Sequence, residues 1–230
     1  MLITMGDVAG VGPEIIAKAW PELCAHCAPV VVGDASWLAR TLEMLGVSAR
    51  VVAATNNESL VPNAQIVPVI QGSDQNLSSV TPGQIHAVAG RAAYDFLCTA
   101  IDLTLAGKAA GIVTAPLQKE GLHAAGLHYP GHTEILAERT GAKEFGMMLY
   151  ARGPGIPEGL GVVHVTLHMA LREVFGLITS AAVLEKIRLL DGVMRRLCAR
   201  PPRLGVAALN PHASDGGLFG DEERTIIAPA

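Results

Sequence analysis

Short apolar runs alternate along this chain with longer segments in which apolar residues recur every three or four positions. The short runs predict buried strands, and the periodic segments predict helices. Strands are expected at residues 2–4, 29–32, 47–53, 65–70, 111–115, 146–150, 162–166 and 204–209. Helices are expected at residues 13–24, 36–45, 81–107 and 221–230, one or two helices at 171–197, and a further helix that begins near residue 132. Because strands and helices alternate, the pattern predicts a mainly parallel, doubly wound α/β sheet.

Two local signals refine these elements. Pro68 has no N–H to donate to a strand ladder, so its strand is expected at an edge of the sheet. The segment Thr81-Pro82-Gly83-Gln84 has the form of a capping box with proline at the first helical position. The long alanine-rich helix is therefore expected to begin at this segment.

Composition narrows the class of protein. Of the 230 residues, 50% are hydrophobic and 17% are charged, which predicts one large domain or two small ones with an extensive core. The net charge of -4 gives no reason to expect a nucleic-acid partner. No apolar stretch reaches the ~20 residues that span a bilayer, and the first residues lack the features of a signal peptide. The expectation is a cytoplasmic enzyme with no membrane partner.

Three histidines follow predicted strands. His212 lies in a polar segment directly after the run at 204–209, and His168 follows the run at 162–166. His132 lies between a Pro-Gly turn and a predicted helix. In α/β proteins, ligand sites form at the carboxyl ends of strands. The three imidazoles are therefore candidates to meet at one metal ion or one anion, whereas His164, inside an apolar strand, is interpreted as a core histidine.

The start of the helix near residue 132 has two interpretations. The first N–H groups of a helix are unpaired and attract anions, so His132 and Thr133 could direct an anionic substrate to them. Alternatively, the segment is an ordinary helix start, with Glu134 complementing the helix dipole. The pattern alone leaves both interpretations open.

The first glycine-rich loop suggests a dinucleotide site. Gly10 and Gly12 lie between a strand and a helix, and Asp34 ends the next strand. However, Ile15 occupies the third glycine position of the fingerprint. A loop in a cleft wall with Asp7 facing the cleft, or a purely structural turn, is therefore preferred over a Rossmann site. The single Cys24–Cys27 pair lacks the second pair that a zinc site needs, and it is interpreted as part of a helix end.

Taken together, several stretches resemble the 4-hydroxythreonine-4-phosphate dehydrogenase family. The matching segments occur in family order along the whole chain: residues 3–7 with 10–14, residues 114–116 with Lys119, residues 131–134, residues 167–172, and residues 210–212 with 216–217. The sequence of residues 3–7 and 164–173 is more similar to the subgroup that acts on four-carbon sugar-acid 4-phosphates. The substrate thus stays open between 4-phosphooxy-L-threonine and D-threonate or D-erythronate 4-phosphate.

The resemblance implies an isocitrate/isopropylmalate-dehydrogenase-like, doubly wound α/β/α fold. It implies two domains with a cleft, at residues 1–130 and 131–230, and a homodimer formed by the second domain. It also implies a role in pyridoxine biosynthesis, through an oxidation and decarboxylation that uses NAD (or NADP) and a divalent metal (Zn, Mg, Co or Mn).

Residue roles follow from the same resemblance. His168 and His212 match metal ligands, and His132 and Thr133 match substrate contacts. Lys119 is a candidate phosphate or proton-transfer group, with a solvated lysine as the alternative, and Asp215 is a candidate to orient a ligand histidine.

The family continues beyond residue 230, so the chain is expected to be C-terminally incomplete. A third metal-binding histidine and most of the cofactor site are expected outside it. Two other functions stay open at this point. One is a truncated, non-catalytic protein of the same fold that binds metal or phosphate, and the other is a Rossmann-type dehydrogenase that uses Gly10, Gly12 and Asp34.

Overall fold

A computed structural model describes residues 1–54, 61–198 and 200–230 of the chain. These residues form two compact units, Met1–Ala142 and Lys143–Ala230. The division into domains at residue 130 stays a prediction about the whole protein. Among the described residues, no helix is both long and apolar enough to cross a membrane.

The first unit contains a five-stranded sheet in which every pairing is parallel. Its spatial order is β3-β4-β2-β1-β5. The strands are β1 (Leu2–Thr4), β2 (Val30–Gly33), β3 (Arg50–Ala53), β4 (Ile66–Gln71) and β5 (Ile112–Thr114). The mainly parallel sheet predicted from the alternation of elements is therefore confirmed.

Within the described residues, five α-helices accompany this sheet in two groups. They are α1 (Gly12–His26), α2 (Ala35–Met44), α3 (Ala87–Leu105), α4 (Lys119–Ala124) and α5 (His132–Thr140). Helix α1 packs against α2, while α3 packs against α4 and α5. Connections between parallel strands are right-handed. The step from β4 to β5 runs along the sheet in the direction opposite to the step from β1 to β2, so α3 and its neighbours α4 and α5 lie on the face opposite to α1 and α2. This arrangement is the doubly wound form.

The core of the first unit lies between the sheet and the helices. Met5, Trp20, Val31 and Phe96 are fully buried within it. The Trp20 indole N–H donates to the carbonyl of Asn63 at 2.9 Å, which satisfies the one polar atom of that side chain. These side chains join β1, β2, α1 and α3 into one hydrophobic cluster.

The second unit is built on an antiparallel hairpin. Strands β6 (Met148–Gly153) and β7 (Ile156–Val163) pair with each other, and helix α7 (Ser180–Leu197) packs against β7. Helix α6 (Leu171–Leu177) precedes α7, and the Thr179 hydroxyl caps α7 by accepting from Ala182 N–H at 3.1 Å. A turn at Pro211–Gly217 and a π-helical turn at Glu223–Ile227 follow.

Three predictions for the second unit are wrong. The strand expected at 162–166 is β7, which ends at Val163 because its last partner on β6 is Met148. The run at 204–209 pairs with no strand among the described residues, so its apolar residues lack the ladder that defines a strand. The helix expected over 221–230 is only the short π-helical turn.

Two predictions for the first unit are also wrong. Strand β4 lies inside the sheet and not at an edge, because its pairing with β2 begins at Val69, one residue after Pro68. Helix α3 begins at Ala87 and not at Thr81. The intervening Gly83 has φ +77°, a left-handed conformation that ends the turn at 81–84 before a helix can propagate.

Replacing Gly90 with alanine is expected to lower the free energy of unfolding of the first unit by about 1–3 kcal/mol, the usual cost of overpacking. A Cβ at Gly90 would lie 2.2 Å from the backbone of Gly121, so α3 and α4 would have to move apart. Urea titration followed by tryptophan fluorescence measures this effect, because both tryptophans, Trp20 and Trp37, belong to the first unit.

Gly192→Ala is the matched control, since it makes the same change inside α7, where a Cβ would meet nothing within 4 Å. Alanine is the better helix former, so this variant should stabilise α7 by roughly 0.5–1 kcal/mol. Amide hydrogen exchange in α7 measures that gain. A neutral or stabilising effect of Gly90→Ala would contradict the close crossing of α3 and α4.

Candidate active site

The sheet of the first unit has a topological switch point between β1 and β5. From β1 the chain moves to β2 on one side, and it later returns to β5 on the other side. In open α/β sheets, ligands bind in the crevice outside the carboxyl ends of the strands at such a point. The segments that leave these two ends, 5–12 after β1 and 115–119 after β5, therefore form the candidate site.

Glycines allow the segments that follow β1 and β5 to approach each other closely. Gly6 has φ +68°, and a Cβ there would lie 2.2 Å from the Pro116 carbonyl oxygen. The next residue, Asp7, donates its backbone N–H to the same oxygen at 2.9 Å. A Cβ at Gly12 would lie 2.2 Å from the carbonyl oxygen of Met5. The first glycine-rich loop thus serves the packing of β1, β5 and α1.

Asp7 is a buried carboxylate at this edge, with 3% of its surface exposed. Its Oδ1 accepts the backbone N–H of Ala9 at 2.9 Å. Burial raises the pKa of Asp7 above its ordinary value, while the Ala9 hydrogen bond and the charge of His86 act in the opposite direction. The sequence placed Asp7 on a cleft wall but did not include it among the site residues.

His86, a residue with a buried ring nitrogen, was missed by the sequence analysis. It is the last residue before α3, and its Nδ1 is buried without a hydrogen-bond partner in the described part of the chain. The predicted helix over 81–107 ran through this position and gave it no special role. No local pattern signals it, because tertiary packing determines that its ring nitrogen is buried.

His132 and Thr133 form the first turn of α5, which confirms the predicted helix start. The helix has no side-chain cap at Gly131, so its first N–H groups are open. The His132 imidazole is half-buried, close to the backbone of Ala115, which directly follows β5. Burial lowers the pKa of His132, and the nearby Ala115 backbone only partly opposes this shift. Thr133 is exposed in the same turn.

Lys119 is the first residue of α4, which follows β5 after a short loop. Its side chain is exposed. The preceding Gln118 caps the helix by accepting the Glu120 N–H at 2.7 Å. The strand exit and this cap together place Lys119 at the carboxyl edge of the sheet.

The predicted metal ligands His168 and His212 belong to the second unit, and both are exposed. Each has a left-handed backbone, with φ 49° at His168 and φ 52° at His212. The residues that the structure describes contain no group of three or more His, Cys, Asp or Glu side chains that could hold a metal ion. The proposed orienting residue, Asp215, is exposed in the same left-handed turn as His212.

The turn that carries His212 is fixed by Glu223. This carboxylate accepts the Asn210 backbone N–H at 2.7 Å and the Ser214 hydroxyl. These bonds lower the pKa of Glu223 to about 2, with the Asn210 bond contributing most. The sequence analysis treated the acidic stretch as a helix start, so it did not identify this role.

His164 differs from its interpretation as a satisfied core histidine. It lies one residue beyond the end of β7 and is half-buried. Its Nδ1 is buried, yet it has no hydrogen-bond partner among the residues described.

The residues of the Rossmann alternative have structural roles. Asp34 caps α2, with Oδ1 accepting the Trp37 N–H at 2.7 Å and Oδ2 accepting from the Gln71 amide at 3.0 Å. Both carboxylate oxygens are thus engaged within the protein. Cys24 and Cys27 lie at the end of α1, in agreement with their interpretation as helix-end residues.

Comparison with known proteins adds an independent result. The family model described as "Pyridoxal phosphate biosynthetic protein PdxA" matches residues 25–230. A 4-hydroxythreonine-4-phosphate dehydrogenase from Beijerinckia indica is 42% identical, over 100% of this chain and 66% of its own length. A D-threonate 4-phosphate dehydrogenase from Salmonella typhimurium is 40% identical, over 99% of this chain and 68% of its own length.

A solved structure gives the same answer for the fold. The crystal structure of a 4-hydroxythreonine-4-phosphate dehydrogenase from Klebsiella pneumoniae superposes with a TM-score of 0.87 and 37% identity, over 100% of this chain and 68% of that one. This agreement confirms the predicted isocitrate/isopropylmalate-dehydrogenase-like fold class. The chain spans about two thirds of the length of the relatives it matches. Since the family match extends over most of both units, the chain belongs to the PdxA family of pyridoxal phosphate biosynthetic proteins.

Proposed function

We propose that the whole protein oxidises the secondary hydroxyl of a phosphorylated four-carbon 3-hydroxy acid, and that the resulting β-keto acid loses carbon dioxide. The names of the relatives supply two candidate substrates, 4-hydroxythreonine 4-phosphate (4-phosphooxy-L-threonine) and D-threonate 4-phosphate. D-erythronate 4-phosphate has the same functional groups. The observation that carries the proposal is the half-buried His132 imidazole beside the uncapped first turn of α5 at the switch point.

The hydrogen-bonding state of His132 suits a substrate hydroxyl. Because burial lowers its pKa, the imidazole is neutral near pH 7 and has one N–H donor and one acceptor nitrogen. In the tautomer whose N–H faces the nearby Ala115 backbone, the other ring nitrogen is left to accept. We therefore assign His132 the role of accepting a hydrogen bond from the hydroxyl of the substrate.

The first turn of α5 suits the charged end of the same molecule. Its open N–H groups and the positive end of the helix dipole favour an anion, and the exposed Thr133 hydroxyl adds a donor. Lys119, exposed at the exit of β5, is assigned as a second phosphate contact or as the group that transfers the hydroxyl proton. These residues would orient a substrate that has both a hydroxyl and a phosphate.

A nicotinamide cofactor, NAD or NADP, supplies the hydride acceptor when it is bound. Oxidation removes a hydride from the carbon and a proton from the hydroxyl oxygen. Loss of carbon dioxide then breaks the bond to the carboxylate, and a proton must replace it on carbon. The contribution of this chain is to bind and orient the substrate, and to receive or return these protons at the edge lined by His132 and Lys119.

His168 and His212 are assigned as ligands of a divalent ion, with Asp215 orienting one of them. Among the candidate ions, imidazole ligands favour Zn or Co over Mg or Mn. Two imidazoles without a third His, Cys, Asp or Glu in the described residues do not complete a metal site. The support for the ion is the family resemblance.

We further propose that the protein is a cytoplasmic homodimer that acts in pyridoxine biosynthesis or on a related sugar-acid phosphate. The second domain, placed at residues 131–230, would form the dimer. The support for these points is the resemblance of residues 167–172 and 210–217 to the family.

Full-length protein supplied with a divalent metal and NAD is expected to form NADH and carbon dioxide together. Each candidate should be supplied separately: 4-phosphooxy-L-threonine, D-threonate 4-phosphate and D-erythronate 4-phosphate. Absorbance of NADH and trapped carbon dioxide are the two readouts, and the substrate with the highest kcat/KM is the natural class. The unphosphorylated acids are the matched controls, and equal turnover of these would contradict the phosphate requirement. Binding without turnover would favour the non-catalytic alternative.

Replacing either His168 or His212 with alanine should remove most of the bound metal from the full-length protein. The reason is that a metal site that loses one of its imidazole ligands holds the ion much more weakly. Metal content per protomer, measured by mass spectrometry after dialysis, is the readout. His123→Ala is the control, since His123 is an exposed histidine of the first unit. Unchanged metal in both variants would disprove the ligand assignment.

Asp34→Ala should leave the dissociation constant of the cofactor nearly unchanged while lowering the free energy of unfolding by about 1 kcal/mol, the usual cost of losing a helix cap. The reason is that Oδ1 of Asp34 caps α2 and its Oδ2 accepts from the Gln71 amide, so both oxygens are engaged within the protein. Isothermal titration and urea unfolding provide the two measurements. A tenfold weaker cofactor affinity, ~1.4 kcal/mol, with unchanged stability would instead favour the Rossmann alternative.

A further inference from the structure

The first turn of α5 carries the proposed substrate contacts, His132 and Thr133, and it lacks a side-chain cap. Gly131 stands at the N-cap position, and no side-chain hydrogen bond caps this helix start among the described residues. A cap would occupy the backbone N–H groups that attract an anion, so its absence leaves them open. The same absence removes the contact that usually fixes a helix start. The position of this turn therefore depends on contacts made elsewhere.

One of these contacts is apolar. The side chain of Ile135 on α5 is fully buried in a cluster with Leu97 and Ile101 of α3 and Leu122 of α4. Its burial holds α5 against the other two helices. Apolar contact has no preferred direction, however, and packed elements can slide past each other by one helical turn, about 5.4 Å. Burial alone therefore does not determine where along α3 the first turn of α5 lies.

An aromatic stack fixes the chain just before α5. The ring centroids of Tyr129 and of Tyr94 on α3 lie 5.7 Å apart, with an angle of 19° between the ring planes. Near-parallel rings at this separation are an offset stack, which aromatic pairs favour. The guanidinium of Arg91 lies 5.9 Å from the centroid of the Tyr94 ring, and Arg91 donates to Asp95 at 2.8 Å. The stack therefore ties the segment that enters α5 to a ring with several contacts of its own.

An ion pair fixes the other end of α5. Arg139, in the last turn, donates through Nη2 to both carboxylate oxygens of Asp102, at 2.7 and 2.8 Å. Both side chains are exposed, so the pair adds little to the free energy of unfolding and acts mainly on geometry. Tyr94 and Asp102 are separated by about 12 Å along α3, at ~1.5 Å per residue. The stack and the ion pair, together called the α5 anchors, thus hold α5 at two well-separated points.

We propose that the α5 anchors are positioning contacts, which hold the open first turn of α5 at the place where the substrate binds. Because α5 is held at two points on α3, it can neither slide nor tilt, and His132 keeps its place near the Ala115 backbone at the exit of β5. The substrate anion then meets N–H groups that are already ordered, and a preorganised site loses less entropy on binding. The role of this turn in substrate binding rests on the function proposed above.

Tyr129→Ala in the full-length protein removes the stack and leaves the residues of the first turn unaltered. The KM for the phosphorylated substrate is expected to rise about tenfold with a smaller change in kcat, because the variant weakens ground-state binding. Tyr129→Phe is the matched control, since phenylalanine keeps the ring that stacks and loses only the hydroxyl. This control should retain the KM of the unmodified protein. An equal rise in KM for both variants would overturn the proposal.

Arg139→Gln releases the other end of α5 without disturbing the core, because this side chain is exposed. Nitrogen-15 NMR, recorded without substrate, should show shifted backbone amide signals at His132 and Thr133, about two helical turns away. The affinity for D-threonate 4-phosphate, measured by isothermal titration, should fall about threefold, because an exposed ion pair is the weaker anchor. Arg195→Gln is the matched control, since Arg195 donates to Asp191 at 2.7 Å in the last turn of α7, in the second unit. It should change neither the amide signals nor the affinity.

The NMR readout separates this inference from the proposed function. Amide signals that shift in Arg139→Gln and not in Arg195→Gln support the positioning role even in a protein that shows no dehydrogenase activity. Unshifted signals at His132 and Thr133 would overturn it, and Arg139→Gln alone decides if Tyr129→Ala fails to fold. In an active enzyme, an unchanged KM in Tyr129→Ala together with an unchanged affinity in Arg139→Gln would also overturn it, since the anchors would then not serve substrate binding.

Discussion

The fold of the first unit depends on a close contact between the segment that leaves β1 and the segment that leaves β5. This contact leaves no room for a side chain. The backbone of Gly6 adopts φ +68°, and any Cβ there would collide with the Pro116 carbonyl oxygen. The same approach brings the Asp7 N–H to that carbonyl and the start of α1 against Met5. Because β1 and β5 border the switch point, this contact also fixes the edge at which the candidate site forms. Packing and site geometry are therefore set by the same few glycines.

The sequence predicted the first unit well where local pattern and packing agree. Apolar runs gave β1, β2 and β5 within one residue of their observed bounds. The inner strands β1 and β2 are buried and need continuous apolar residues. The start of α5 at His132 was also predicted, because a glycine before a polar first turn marks a helix start. Pro68 was misplaced at an edge, because only the register with β2 shows that its missing N–H is not needed.

The remaining features depend on contacts between residues distant in sequence. The ring nitrogen of His86 is buried only in the folded chain, and Gly90 matters only because α4 crosses α3 at Gly121. No period or propensity predicts such pairs. In the second unit, the run at 204–209 has the composition of a strand but lacks a paired neighbour among the described residues. Strand formation requires a partner as well as a pattern, so composition alone was insufficient there.

The two buried groups at this edge shift stability with pH in opposite directions. Burial raises the pKa of Asp7 above its ordinary 3.8, so its contribution to stability is complete below that pH and is lost as pH rises through the raised value. Burial lowers the pKa of His132 below its ordinary 6.5, so its contribution is complete above 6.5 and is lost as pH falls through the lowered value. The protonated carboxyl group is therefore favoured at low pH and the neutral imidazole at higher pH, so the two groups give this edge opposite responses to pH.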